Sequence, residues 1–516
     1  MAKYKEFYYS QGKFIPIHFD KQILPGTFEY TLHYLIDNEI DLSLFDERHK
    51  NDETGAPAYD PAILLKIILY AYSRGITSSR KISQCCKENI IFMALSADTQ
   101  PHFTTIADFI SSVDKEIIKL FLQVLLVCDE MNLIGKEMFA IDGCKMPSNA
   151  SKEWSGTKEE LRHKKEKMEQ AVRQIVKRHR EVDAKEKDKG TVEQEQRCVE
   201  TIRKKANKIK DWLKENDDKS GKMGKPVKSN ITDNESAKMK TSHGVIQGYN
   251  GVAVVDNKTQ VIVHAEAFGA AQEHDLLQPM LAGTRENFKE IGNKEDVFAK
   301  AKVVADSGYH TEVNMKMAME EGIDAYILDT QFRKRDPRFA DIDKYKERFR
   351  REQRERNGAK MLYRAKDFIL SEDKRFCICP ARKRLYRNGG NVILDRNTAI
   401  KFRSRKTDCR VCEVRESCLR NPETSEVRQV CFIQGRVASM AETFTEKMRQ
   451  KIDSIKGRLI YNRRLGTAEP PFAHIRSILR LDRFTLRGKR KVNTQWLMYC
   501  IVHNLLKVHR YGEEFA

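Results

Sequence analysis

Three acidic residues have the type and setting for metal-assisted chemistry. Asp142 follows the apolar run Met138, Phe139, Ala140, Ile141 and precedes Gly143. Asp306 follows Lys302 to Ala305 and precedes Ser307-Gly308-Tyr309. A carboxylate at the end of a short buried strand projects where oxygen ligands can take a divalent cation. Glu469 supplies a third, in Tyr461-Asn462-Arg463-Arg464-Leu465-Gly466-Thr467-Ala468-Glu469, with Pro470-Pro471-Phe472-Ala473-His474-Ile475-Arg476 after it. Pro470 suits the first position of a helix, which puts Glu469 at the entrance and Arg476 two turns on, facing the same way. Two cations about 3.5–4 Å apart on such carboxylates stabilise the attacking and leaving oxygens of an in-line phosphoryl displacement and lower the pKa of a bound water. Hard Mg²⁺ suits carboxylates and phosphate oxygens alike. Taken singly, an aspartate after a strand is a turn former or a cap. Glu442 and Glu446, on the helix before Tyr461, are rivals to Glu469 that read as solvent-facing.

A second constellation is built of sulfur. Cys409, Cys412 and Cys418, preceded by Cys377-Ile378-Cys379-Pro380, offer thiolates at a spacing that can close a tetrahedral Zn²⁺ site. The expected ligands are Cys379, Cys409, Cys412 and Cys418, with Cys377 as the alternate fourth; reduced thiols in a small core are the other reading. Either way the role is structural, since a closed thiolate site leaves no coordination position open. His274-Asp275 and His243-Gly244 have no further partner at ligand spacing and read as surface or capping residues. Trp496, Met498 and Ile501 read as helix core.

These residues need elements to hold them. From Pro61 to about Ile134 apolar residues return every three or four positions, opened by Asp60 as N-cap and Pro61 at the first helical position, which predicts several short helices. Their spacing is that of compact DNA-binding helical units, a pattern also common in units that bind no DNA. At Met138 the period changes to that of a strand. Ser151 to Asn230 holds 24 Lys/Arg and 16 Asp/Glu and predicts a protruding helical hairpin or partly disordered insertion, its charge a solvated face or a DNA-backbone contact. Gly248 to Val255 and Gln260 to Ala267 read as strands joined at Asp256-Asn257-Lys258. Then come a helix over Leu276 to Phe288, a strand over Lys302 to Ala305, a helix over about Thr311 to Glu321 and a strand over Asp324 to Leu328. That order predicts a mixed α/β sheet with carboxylates at two strand ends. Beyond it lie a basic stretch, Phe332 to Lys360, with twelve Lys/Arg and six Asp/Glu, the cysteine segment, a helix over roughly Ala438 to Lys456, and an apolar helix over Thr494 to Val508.

The composition narrows the partner. The chain has 516 residues, with 94 Lys plus Arg against 74 Asp plus Glu, a formal charge of +20. Such a surplus points to a polyanion, nucleic acid first, because neutralised phosphates release counterions; a basic protein without such a partner is the plain alternative. The longest apolar stretches, Ala62 to Tyr72 and Phe121 to Val127, are too short to span a bilayer. Met1 to Phe14 lacks an apolar core for secretion, so the expected location is the cytoplasm and the expected state of the cysteines is reduced or metal-bound.

The chain resembles bacterial insertion-sequence transposases of the DDE type. The resemblance rests on Ala140-Ile141-Asp142-Gly143, on Val304-Ala305-Asp306-Ser307-Gly308-Tyr309, and on the Tyr461, Arg464, Glu469, Arg476 string. In the helical front it rests on Tyr59-Asp60-Pro61-Ala62-Ile63-Leu64-Leu65-Lys66 and Gly75-Ile76-Thr77-Ser78-Ser79-Arg80; it runs from about Pro16 to Val508. It implies an α/β fold: a ribonuclease-H-like mixed sheet with a helical insertion, an all-helical amino-terminal domain before it and a small cysteine-rich, zinc-binding insertion. The implied divisions are a DNA-binding domain over 1–134, the first part of the catalytic domain over 135–330 with the charged insertion at 151–235, the basic and cysteine-rich insertion over 331–435, and the part bearing the glutamate over 436–516. It implies Asp142, Asp306 and Glu469 as ligands of Mg²⁺ (or Mn²⁺), and Tyr461, Arg464 and Arg476 as contacts to the transposon end. Two departures stand. Four residues, not three, separate Arg464 from Glu469, which leaves Arg463 as the alternative to Arg464, and Arg476 stands where the related signature has lysine. The implied partners are transposon ends and target DNA, with a homodimer in the synaptic complex and the nucleoid as the place of action. A metal-dependent endonuclease of the same fold and a catalytically silent DNA-binding derivative are the alternatives.

Overall fold

The computed structural model describes residues 16–48, 57–182, 189–221, 224–242, 244–336, 352, 362–389, 392–394, 396–437 and 442–512. The expectations for Met1 to Phe14, His243, most of Phe332 to Lys360 and the start of the Ala438 helix fall outside them. The chain divides into two compact units, Met1–Leu328 with Gln450–Ala516, and Asp329–Arg449.

The first unit begins with helices α1 (Phe28–Asn38), α2 (Pro61–Ser73), α3 (Ser79–Glu88), α4 (Ile90–Leu95), α5 (Phe103–Ser112) and α6 (Glu116–Glu130). Asp60 caps α2 by accepting from Ala62 N–H, with Pro61 behind it. Helix α2 is apolar nearly all round and is buried from Leu64 to Tyr72. Its one buried cation, Lys66, is compensated by Asp37 at 2.5 Å. Gly75 ends it in a left-handed turn with φ +71°, in which Ile76 N–H bonds to Ala71 C=O and Gly75 N–H to Tyr72 C=O.

The sheet follows as β1 (Met138–Pro147), then the hairpin helices α7 (Lys158–Val182) and α8 (Lys189–Glu215), β2 (Ala237–Thr241), β3 (Gly244–Asp256), β4 (Ile262–Phe268), α9 (Leu277–Glu290), β5 (Lys302–Ala305), α10 (Glu312–Glu320) and β6 (Asp324–Ile327). Strand β1 is central. On one side it pairs antiparallel with β3, whose outer edge carries β2 and β4; on the other it pairs parallel with β5, and β5 parallel with β6. The charged insertion is a helical hairpin whose thin apolar stripe, Leu161, Ile209 and Trp212, closes on Ile231.

Two more helices complete this unit, α11 (Ile455–Ala473) and α12 (Lys489–Tyr511). Ile460 and Ala468 of α11 pack on Met138, Ala140, Val304 and Tyr326, so α11 covers the sheet face that Asp142 shares by its even spacing from Met138. On the opposite face Phe139 meets Phe288 of α9 and Phe298. Trp496 of α12 donates its indole N–H to Val252 C=O, and Tyr499 stacks on Tyr72 of α2 with ring centroids 4.5 Å apart. Trp496, Met498 and Ile501 are fully buried.

The second unit is a separate antiparallel sheet. Strands Ile369–Leu370, Phe376–Ile378, Arg384–Arg387, Asn397–Arg403 and Val392–Leu394 follow in that order, with Gln429–Arg436 also on Asn397–Arg403. Its core is Phe368, Cys377, Leu385, Ile400, Phe402, Cys418 and Val430.

Three local expectations are corrected. Asp142 does not end β1, which runs on to Pro147 along β3; what ends there is the pairing with β5, whose last partners are Ile141 and Ala305. The helix expected over Ala438 to Lys456 is instead two: one spans Phe444–Asp453, and Ser454 N-caps α11 by accepting from Gly457 N–H. Pro470 is not at a helix start but inside α11 together with Pro471. A proline there lacks the N–H that would bond to Gly466 C=O. Gln260 Nε2 supplies that bond from outside the helix at 2.8 Å, so the helix continues.

Candidate active site

With Ile141 opposite Ala305 on adjacent parallel strands, Asp142 and Asp306 are the next residues on each and point to one face. Neighbouring strands are about 4.8 Å apart. Beyond Ile141 the pairing of β1 with β5 has ended, and farther along Phe484 N–H bonds to Pro147 C=O. Each carboxylate is fixed by a backbone N–H that follows it: Gly143 N–H to Asp142 Oδ1 at 2.8 Å, and Ser307 N–H to Asp306 Oδ1 at 2.5 Å.

Arg464 comes in from α11. It is 6% exposed and donates through Nη2 to Asp142 Oδ2 at 2.7 Å. Its guanidinium also feels Tyr461, Asp306 and Glu469. Burial alone lowers an arginine pKa; here the surrounding acids outweigh it and the net shift is upward. Asp142 shows the complementary balance. Burial pushes its carboxyl up to about 6, against the pull of Arg464 and Gly143 N–H, with Asp306 and Glu273 adding like-charge repulsion.

Glu469 is exposed, and lines with Asp142, Cys144, Phe472 and Arg476 a solvent-open cleft of about 540 Å³. Arg464 and Glu469 are five residues apart on α11, so the first faces the sheet while the second faces the cleft mouth. Immediately after α11, His474–Ile478 winds as a π-helix, a local widening that carries Arg476 into the same cleft. Arg463 and Arg476 are exposed, whereas Tyr461 is buried, with its hydroxyl pushed up to about 12 by burial. The rivals lie in the other unit: Glu446 forms a reciprocal cap with Thr443, and Glu442 is exposed.

One acid escaped the reading of residues. Glu273 precedes α9 and is 13% exposed; it accepts from Asn250 Nδ2 at 3.2 Å and lies against Gly308, where an added Cβ would meet its Oε2 at 2.2 Å. Its neighbours His274 and Asp275, which attracted attention instead, are exposed. No spacing signal marks Glu273. The clue was the absence of a side chain at Gly308, two residues after Asp306.

The four cysteines also come together. Cys379, Cys409, Cys412 and Cys418 line one cavity of about 20 Å³ in the second unit, while Cys377 is in the sheet core. Cys379 sits in a tight turn in which Lys383 N–H points at its Sγ at 3.3 Å; Cys409 Sγ lies 2.9 Å from Ser404 Oγ. Burial pushes the Cys418 thiol up to about 11, opposed by Arg428 and reinforced by Cys409, Cys379 and Cys412.

As donor sets, hard oxygens surround the first site and soft sulfurs the second, which fits Mg²⁺-like and Zn²⁺-like ions respectively. At the first site the buried Asn250 Oδ1 and Tyr309 hydroxyl have no hydrogen-bond partner among the described residues. Among those residues no three His, Cys, Asp or Glu side chains are already gathered as a metal cage. No helix among them is long and apolar enough to cross a membrane.

Comparison with known families gives two matches. Residues 378–509 match the transposase DDE domain, a stretch holding Glu469, Arg476 and the four cysteines. Residues 17–112 match the transposase domain DUF772, which covers the helical front as far as α5. A search of curated proteins returned no match. Both matches are to transposase domains and together cover less than half of the chain; they support an insertion-sequence transposase of the DDE type.

Proposed function

We propose that the protein binds the terminal inverted repeats of its own element, cuts DNA at their ends and joins the freed 3′-hydroxyl to target DNA, with Asp142, Asp306 and Glu469 as the catalytic acids. The observation that carries this reading is the placement of the three acids by distant segments: the β1–β5 register sets Asp142 beside Asp306, Arg464 of α11 donates to Asp142 at 2.7 Å, and Glu469 of the same helix lines one cleft with Asp142. A central β1 with an antiparallel hairpin on one side and parallel strands on the other supports a ribonuclease-H-like sheet.

DDE transposases use divalent metal ions. Here Asp142, Asp306 and Glu469, with Glu273 behind them, would hold Mg²⁺ or Mn²⁺, which when bound polarises the scissile phosphate and makes water a stronger nucleophile. Arg464 holds Asp142 in one rotamer and keeps its charge available despite burial. Exposed Arg476 meets a phosphate oxygen of the strand in the cleft, and Arg463 and Tyr461 belong to the same end-binding string. In the first step water oxygen bonds to phosphorus as the bond to the bridging oxygen breaks, and a 3′-hydroxyl is left. In the second, that hydroxyl attacks a target phosphodiester and displaces its 3′ oxygen. No side chain becomes covalently attached. Zn²⁺ on Cys379, Cys409, Cys412 and Cys418 would brace the second unit. The protein would act in the cytoplasm on nucleoid DNA, as a homodimer that pairs two ends.

A strand-transfer assay with a precut repeat end, target plasmid and Mg²⁺ tests this. The expected result is a joined product that Glu469→Gln abolishes. Cut DNA without joining means an endonuclease; neither product from a protein that still binds repeat ends means a silent derivative.

A further inference from the structure

The cleft of Asp142 and Glu469 does not stop at Arg476. A second opening of about 390 Å³ shares Arg476 and Asp482 with it and is lined further by Thr77, Ser78, Lys81 and Arg480. Three cations thus face one carboxylate, Asp482, and among the described residues none of Lys81, Arg476 and Arg480 has an ion-pair partner. Like charges held along one groove repel unless an anion joins them.

The backbone adds an independent sign. Arg480 stands in the left-handed region, φ +59°, just beyond the π-turn at the end of α11. Glycine is the usual occupant of such a stop, because an L side chain is strained there. Nine non-glycine residues among those described share a positive φ, so at Arg480 the conformation fixes where the side chain leaves the backbone. Its stem crosses Gly75, where an added Cβ would be 3.0 Å from Arg480 Cδ and 3.2 Å from Ile478 C=O. The turn glycine after α2 therefore makes the space through which Arg480 reaches the opening.

We infer that this opening holds the sugar-phosphate backbone of DNA flanking the cut site, so that Lys81 and Arg480, with the Thr77 and Ser78 hydroxyls, continue the track that begins at Glu469 and Arg476. The inference rests on the DNA-cutting reading above and adds to it a phosphate subsite that joins the helical front to the acids. The contacts are to phosphate, so they set register and affinity without reading bases.

The test uses the full-length protein and a fluorescein-labelled DNA duplex of random sequence, with anisotropy titrations over a range of salt. Lys81→Gln with Arg480→Gln is expected to weaken binding about tenfold and to reduce the slope of log affinity on log salt by about 2, whereas the charge-matched control Lys289→Gln with Lys300→Gln keeps the wild-type slope. Arg480→Gly separates a binding role from a structural one. It removes the strained side chain, so its melting temperature is expected to equal or exceed the wild type while its affinity falls. If the wild type binds and the double variant keeps its affinity and slope, the subsite is wrong and the DNA reading survives. If Arg480→Gly loses melting temperature together with binding, Arg480 is structural and the inference is overturned. A wild type that does not bind DNA removes both readings together.

Discussion

The carboxylate cleft and the cysteine cavity are assembled in opposite ways. The cysteines come from a stretch of about forty residues, Cys379 to Cys418, and short turns bring them to the lining of one cavity without closing them into a metal cage. The acids come from β1, the end of β5 and the middle of α11, and nothing local brings them together. The sulfur-lined cavity is small, about 20 Å³, whereas the cleft beside Asp142 and Glu469 is open to solvent and about 540 Å³. Chain proximity places the one set of side chains, and a sheet with a helix across it places the other.

The contrast has consequences, the largest on the sulfur side. If Zn²⁺ is held there, structural zinc is worth on the order of 10 kcal/mol, so a strong chelator or Cys409→Ser with Cys412→Ser should release the metal and lose the folding transition of the second unit. Metal analysis with calorimetry reads this, and a metal-free wild type that melts as cooperatively as an untreated one would break the comparison. On the oxygen side Glu469→Gln should lower cleavage by roughly 10³-fold, about 4 kcal/mol of barrier, with an unaltered melting temperature, because Glu469 is exposed. A comparable loss of stability would place Glu469 with the scaffold.

Asp142, half-buried beside Arg464, gives a pH effect. Folding raises the Asp142 carboxyl from 3.8 to about 6, so the folded protein holds that proton more tightly than the unfolded chain. The stability it contributes is therefore greatest at low pH and declines as pH rises from about 4 through about 6, by up to about 3 kcal/mol before discounting for its partly open side. Cleavage needs the ionised form and should fall below about pH 6. Arg464→Gln removes the cation that favours ionisation, so the acid edge of the pH–rate profile should move upward; an edge that stays in place would remove Arg464 from the electrostatics of the site. The smallest effect tests the scaffold of α11. Gln260→Ala leaves Gly466 C=O without its outside donor and should cost roughly 1 kcal/mol, read as a lowered melting midpoint.

Much of the sheet was legible from pattern. The strand over Lys302 to Ala305 is found with those bounds, and the hairpin turn at Asp256-Asn257-Lys258, the helix after it and the strand from Asp324 match within a few residues. These are buried or half-buried elements whose apolar period and turn residues act locally. Of the two readings of the charged insertion, a helical hairpin or a partly disordered stretch, the described residues form the hairpin. Pro470 misled because the rule that places proline at helix starts assumes that the missing hydrogen bond has no substitute. Gln260, some two hundred residues earlier, provides one. Glu273 was invisible for the same kind of reason, since its relation to Asp306 passes through the bare backbone of Gly308.

By itself the sequence marked which residues could bind metal, where most strands and helices would form, and a surplus of positive charge that favours a polyanionic partner. Those properties follow from side-chain chemistry and from periodicity over a few residues. The tertiary structure decided that Arg464 is turned inward to Asp142, that Glu469 and Arg476 open on one cleft, and that Arg480 lies over Gly75. Each of these depends on the pairing of distant segments, and pairing is set by the packing of the whole core.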